Sequence, residues 1–149
     1  MSSVDQLVDL ATTRAGLTDF GSDTWREGLE LLLRELNASP VVSDGGRAYT
    51  EGNYVDALWN RLRVVEYAKQ HPEVTDEAIE RPLVILGMPR TGTTVASYLL
   101  AQDPQRRSLL NWEAPDSVPP PTTATLRSDP RCVAKLEQQR VMAFLGRRS

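Results

Sequence analysis

Leu83-Val84-Ile85-Leu86-Gly87-Met88-Pro89-Arg90-Thr91-Gly92-Thr93-Thr94 is the stretch on which the reading of this chain turns. Four consecutive aliphatic residues predict a buried strand. A loop punctuated by Gly87, Pro89 and Gly92 follows, and then residues with helical spacing. Strand, glycine loop and helix start together make an anion cradle, because loop N–H groups and the positive end of the helix dipole converge on one point. Gly87-x-x-x-x-Gly92 followed by Thr93-Thr94 has the spacing of a P-loop. One residue departs from that motif. An ATP-binding loop carries Lys before its Ser or Thr, and here that position is Thr93. The nearest cation is Arg90, inside the loop. We read a phosphate loop rebuilt for another ligand.

Outward from the loop, the first 70 residues read as helices. Ser3-x-x-Gln6 is a capping-box pattern, with Val4, Leu7, Val8 and Ala11 on one face and Gly16 as the stop. Thr24-x-x-Glu27 predicts the opening of a second helix, with Trp25, Leu29, Leu32, Leu33 and Leu36 on its stripe. Ser43-Asp44-Gly45-Gly46 reads as a loop. A third helix is expected over 51–70, with Tyr54, Leu58, Leu62 and Val65 in phase, stopped by His71-Pro72. Beyond the phosphate loop a helix is expected from about Gly92 to Gln102, and Ser108-Leu109-Leu110 reads as a second short strand. A proline-rich loop spans Pro115 to Pro121. Asp129-Pro130 has the pattern of a helix start. The expected fold is α/β: an incomplete P-loop-like parallel-sheet core over 81–149, preceded by a helical segment over 1–80.

The 149 residues suffice for one domain with a buried core. No aliphatic run approaches the roughly 20 residues of a membrane span. The N-terminus has neither the basic start nor the apolar core of a signal peptide. Cys132 is the single cysteine, which fits a reducing, cytoplasmic setting. Residues 1–80 hold 7 Lys/Arg against 15 Asp/Glu, or −8, whereas residues 81–149 hold 10 against 5, or +5. The basic half contains the loop, so its field favours a polyanionic nucleotide. No dense basic stripe with interleaved aromatics points to nucleic acid. No His/Cys/Asp/Glu cluster has metal-ligand spacing.

From Gly87 to Thr94 the chain resembles the sulfotransferase superfamily, whose 5′-phosphosulfate loop has the form Gly-x-Pro-Arg-[Ser/Thr]-Gly-[Ser/Thr]-[Ser/Thr]. The longer pattern is similar to a bacterial, largely actinobacterial branch that joins a helical segment to the loop. Here the segment holds Gly16-Leu17-Thr18-Asp19-Phe20-Gly21 and Trp25-Arg26-Glu27-Gly28-Leu29-Glu30, and the pair Trp112-Glu113 follows the loop. The resemblance covers most of residues 4–141. It implies 3′-phosphoadenosine-5′-phosphosulfate as sulfonate donor, a hydroxyl or amine acceptor, and no metal. It makes Gly87, Pro89, Arg90, Thr91, Gly92, Thr93 and Thr94 donor-binding residues. It also implies an Arg and a Ser that grip the donor's 3′-phosphate. Arg127-Ser128 is the nearest such cluster, but no aliphatic strand precedes it.

Sulfonate transfer needs a held leaving phosphate, a base for the acceptor and an in-line arrangement. Glu113 follows the loop by about twenty residues, where the ends of α/β strands converge on a ligand crevice. The resemblance makes it the candidate general base, with Asp116 as rival. His71, the single histidine, reads as a helix-terminal residue. Cys132 reads as a packing residue, as do Trp25 and Trp59, while Trp112 is an anchor or a pocket wall. One strand and at most a second cannot close a parallel sheet. The expectation is therefore the N-terminal part of a longer enzyme, inactive alone, with an exposed apolar edge beside Leu83–Leu86. Two other functions fit the loop less well: a P-loop kinase or hydrolase, against which Thr93 speaks, and an inactive helical binding module with a degenerate anion loop.

Overall fold

The structure is a computed structural model that describes residues 2–88 and 90–145, and for 141–145 the backbone alone. Three helices form the core: α1 (Val4–Ala15), α2 (Thr24–Ala38) and α3 (Asp44–Gln70). A short α4 (Pro72–Asp76), the post-loop α5 (Thr93–Leu100) and α6 (Pro130–Leu145) follow.

The capping box forms as the sequence predicts. Ser3 Oγ accepts from the Gln6 N–H at 3.2 Å, and Gln6 Oε1 accepts from the Ser3 N–H at 2.8 Å. Gly16 ends α1 at φ 66°, a left-handed conformation that glycine adopts without a Cβ penalty. The apolar stripes then meet. Val4, Leu7 and Ala11 of α1 pack with Leu29, Leu33 and Leu36 of α2, with Leu58 and Leu62 of α3, and with Phe20 of the first connection. Leu62 and Ala11 are wholly buried. Each buried leucine contributes about 1.5–3 kcal/mol.

Three boundaries differ from the sequence reading. Thr24 is the first residue of α2, preceded by Asp23 without a side-chain cap. The third helix begins at Asp44, seven residues before the expected Glu51. Its cause is Ser43, whose Oγ accepts from the Gly46 N–H at 3.2 Å. That cap offsets part of the entropy lost at Gly45 and Gly46. Pro72 both stops α3 and opens α4 from its first position, where a missing N–H costs nothing.

The expected α/β fold with a parallel-sheet core is not what forms. Among the described residues there are helices and irregular chain, with no strand. Residues 82–88 have no ladder partner, and Ser108–Leu110 is irregular too. The physical reason is pairing: a strand exists only when another chain segment takes its N–H and C=O groups, and local aliphatic content cannot supply one. Leu83, Val84 and Leu86 are accordingly 56%, 68% and 87% exposed. Their burial was one support of the phosphate-loop reading, and that support is withdrawn. What remains of it is the geometry of the loop.

Candidate functional site: the glycine loop and the wall facing it

Gly87 opens the loop at a position where no side chain fits. A Cβ there would lie 2.7 Å from Thr93 Cγ2 and 2.8 Å from Thr91 Oγ1. Thr91 folds back on the loop, its hydroxyl donating to the Met88 carbonyl at 2.6 Å. Gly92 then turns at φ 89°, directly before Thr93, the first residue of α5. No side chain caps that helix start, so no side chain takes its first-turn N–H groups. Arg90 sits at φ 69°, a conformation rarely held by a residue with a Cβ. Its side chain is exposed, and among the described residues no carboxylate pairs with it. Pro89, the remaining loop candidate, lies outside the described residues. The local arrangement is a bend closed by Thr91, a helix start with unspent N–H donors, and a cation available to an anion.

Across from α5 stands the segment 108–111. Between them lies a cavity of about 550 Å³, lined on one side by Thr93, Thr94, Ser97 and Tyr98 and on the other by Ser108 to Asn111. A second hollow of about 570 Å³ shares Ile85, Ser97, Ser108 and Leu109 with it and adds Arg81, Arg106 and Arg107. The larger hollow between α1 and α3, about 800 Å³, holds no loop residue. The crevice beside the loop thus has the threonines at one end and three arginines at the other.

Glu113 stands behind the wall of this crevice. It is 3% exposed, the only buried charged residue among those described. One carboxylate oxygen accepts from Arg107, and Oε2 accepts from the Leu110 N–H at 2.7 Å. Its own N–H donates to the Leu110 carbonyl at 2.9 Å, closing the turn. Glu113 therefore fixes the wall residue Leu110, while Arg107, its only side-chain partner among the described residues, is 55% exposed.

The other candidates are occupied by structure. Asp116 pairs with Arg63 and lies 3.9 Å from Arg131. Asp129 accepts from Arg131, whose hydrogen bond holds its carboxyl below the usual range, with the Arg131 N–H and charge adding to the effect. His71 ends α3, donating its N–H to the Tyr67 carbonyl at 2.9 Å and stacking on that ring. Trp112 is buried beneath the Arg131 guanidinium, 5.1 Å from its ring centre. Cys132 is buried as a packing residue. Sequence reasoning missed Arg107, Asn60, Arg63 and Arg131. Apart from the Arg131–Asp129 pair, two residues apart, their partners lie six to fifty-seven residues away, a separation that leaves no local pattern.

A family model described as "Sulfotransferase family" matches residues 82–148, the stretch that holds the loop and Glu113. The crystal structure of sulfotransferase STF9 from Mycobacterium avium superposes with a TM-score of 0.85 at 51% identity. The chain belongs to the sulfotransferase superfamily. That superposition covers 95% of this chain and 36% of STF9. Sulfotransferase STF1 from Mycobacterium tuberculosis H37Rv follows with a TM-score of 0.81 at 34% identity, over 95% of this chain and 40% of that one. The chain therefore spans 36% and 40% of the lengths of these two structural relatives. No curated protein sequence matches the chain at a significant level. No helix among the described residues is long and apolar enough to cross a membrane.

Proposed function

We propose that this chain carries the donor-binding loop of a sulfotransferase that moves a sulfonate from 3′-phosphoadenosine-5′-phosphosulfate to a hydroxyl or amine acceptor. The observation that carries the reading is the space at Gly87, where a Cβ would strike Thr93 and Thr91, beside a helix start left without a side-chain cap. A methyl group at Gly87 would push Thr91 and Thr93 outward, so the glycine lets the loop close tightly on the start of α5. The donor supplies an activated sulfonate on a phosphate leaving group. Gly87 and Gly92 shape the cradle, with Pro89 between them in sequence. The N–H groups of Thr93 and Thr94 face the 5′ anion, and Arg90 adds the charge. Thr91 keeps the loop closed through Met88. We assign the helical segment 1–80 to support and 81–149 to donor binding, in a cytoplasmic enzyme that needs no metal.

Glu113 is the residue we propose to take the acceptor's proton. It is the buried carboxylate nearest in sequence to the crevice wall, and Arg107, which covers it, is exposed enough to swing away. Arg107 leaving Oε1 would open that oxygen to the acceptor hydroxyl. The test is sulfonate transfer from the labelled donor to a panel of phenol, steroid, glycan and lipid hydroxyls. Label transfer that falls about tenfold or more in Arg90→Ala at limiting donor supports the reading. Hydrolysis of ATP with magnesium, and no use of the sulfonate donor, would replace it with the kinase or hydrolase alternative.

A further inference from the structure

The segment that holds Glu113 is fixed by side chains of α3, and this gives the N-terminal helices a task at the site. Asn60, in the middle of α3, spends its whole amide on that segment. Its Nδ2 donates to the Ala114 carbonyl at 3.1 Å and to Ser117 Oγ at 3.0 Å, and its Oδ1 accepts from the Ser117 N–H at 2.9 Å. Ser117 Oγ in turn donates to the Glu113 carbonyl at 3.0 Å. Glu113 then holds the N–H of Leu110, which lines the crevice opposite Thr93 and Thr94. One turn further along α3, Arg63 donates to Asp116 and to the Val118 carbonyl while its guanidinium lies 4.3 Å from the Trp59 ring centre. Among the described residues no sheet orders this wall. A chain of side-chain-to-backbone bonds that starts on α3 does so instead.

We propose that Asn60 is a positioning residue that sets Glu113 and the crevice wall through Ser117, so that α3 is the template for the acceptor side of the site. The wall's dependence on α3 stands on the hydrogen bonds alone, whereas its consequence for turnover rests on the functional reading above. Losing these three bonds should loosen the segment by about tenfold or more in local opening. Asn60→Asp keeps the acceptor for the Ser117 N–H and loses the donors, which makes it a graded variant.

The experiment is amide hydrogen exchange, resolved by residue, on the full chain and on Asn60→Ala, Asn60→Asp and Ser117→Ala. In Asn60→Ala the amides of Ser117 and Leu110 should both exchange about tenfold faster or more, with Leu62 in the core unchanged. Asn60→Asp should fall between it and the parent. Ser117→Ala cuts the relay from the loop side without touching α3, and should speed Leu110 alike. Leu110 exchange unchanged in both Asn60→Ala and Ser117→Ala overturns the proposal. In a transfer assay, Asn60→Ala should lower kcat and leave the donor KM within about twofold. A raised donor KM with kcat intact would also overturn it. Failure of Arg90→Ala to weaken donor binding would sink the functional reading and leave the exchange result standing.

Discussion

Replacing Gly87 by Ala probes the loop at its tightest point. The added methyl would lie 2.7 Å from Thr93 Cγ2 and 2.8 Å from Thr91 Oγ1, well inside van der Waals contact. Neither neighbour yields easily. Thr91 is tethered to the Met88 carbonyl at 2.6 Å, and Thr93 is β-branched and sits in the first turn of α5. The strain of such overpacking is about 1–3 kcal/mol. The loop is exposed and lies outside the α1–α3 core, so the strain falls on the loop's shape rather than on folding. Expressed in affinity, it is a loss of roughly fivefold to 150-fold. Calorimetric titration with 3′-phosphoadenosine-5′-phosphate measures it, with a thermal melt to confirm an intact core. Thr93→Ser removes Cγ2, the nearer of the two contacts, so Gly87→Ala/Thr93→Ser should regain part of the loss. Parental affinity in Gly87→Ala would refute the argument that the cradle is set by this close approach.

Other outcomes follow from single contacts. Arg90→Ala should weaken binding of the same nucleotide by about tenfold to a hundredfold, the worth of one charge-assisted partner, with the melting temperature unchanged. In an active enzyme that carries this segment, Glu113→Gln should lower turnover by roughly two to four orders of magnitude with donor affinity retained, measured by transfer of labelled sulfonate. Near-normal turnover would take the proton from this residue. Asp129 is held below the ordinary carboxylate range chiefly by the Arg131 hydrogen bond. Its contribution to stability is therefore fully present above a pH of about 4 and fades as pH falls through the depressed value. Urea melts should show a larger loss between about pH 6 and pH 3 in the parent than in Asp129→Asn. Equal losses would mean that the pair does not couple to folding.

The helical half was legible because its signals are local. The Ser3/Gln6 box, the Gly16 stop and the stripe of α2 act within one or two turns, and they formed as read except that Leu32, placed on the stripe, is 52% exposed. The start of α3 was misplaced because two glycines outweighed Ser43 in the reading, whereas in the structure the cap at Gly46 wins. The helix after the loop and the start of α6 at Pro130 were also legible, both from turn chemistry. Leu83–Leu86 was misread because its aliphatic run specifies an apolar surface and says nothing of a pairing partner. Glu113 was found by its place after the loop, but its clasp by Arg107 and Leu110 was not, and neither was the hold of Asn60 and Arg63 on the segment after it. Those bonds join residues that approach only once α3 and the turns have packed.

The central claim is that the loop from Gly87 to Thr94 binds the 5′ end of an adenosine donor without magnesium. Thermal stability of the full chain, measured with 3′-phosphoadenosine-5′-phosphate against ATP plus magnesium, tests it directly. A ligand at a hundredfold its Kd stabilises by about 2.7 kcal/mol, a shift of several degrees for a domain of this size. The account predicts that shift with the 3′-phosphorylated nucleotide, a smaller one in Arg90→Ala, and none that depends on magnesium. A magnesium-dependent shift with ATP and no response to 3′-phosphoadenosine-5′-phosphate would contradict it.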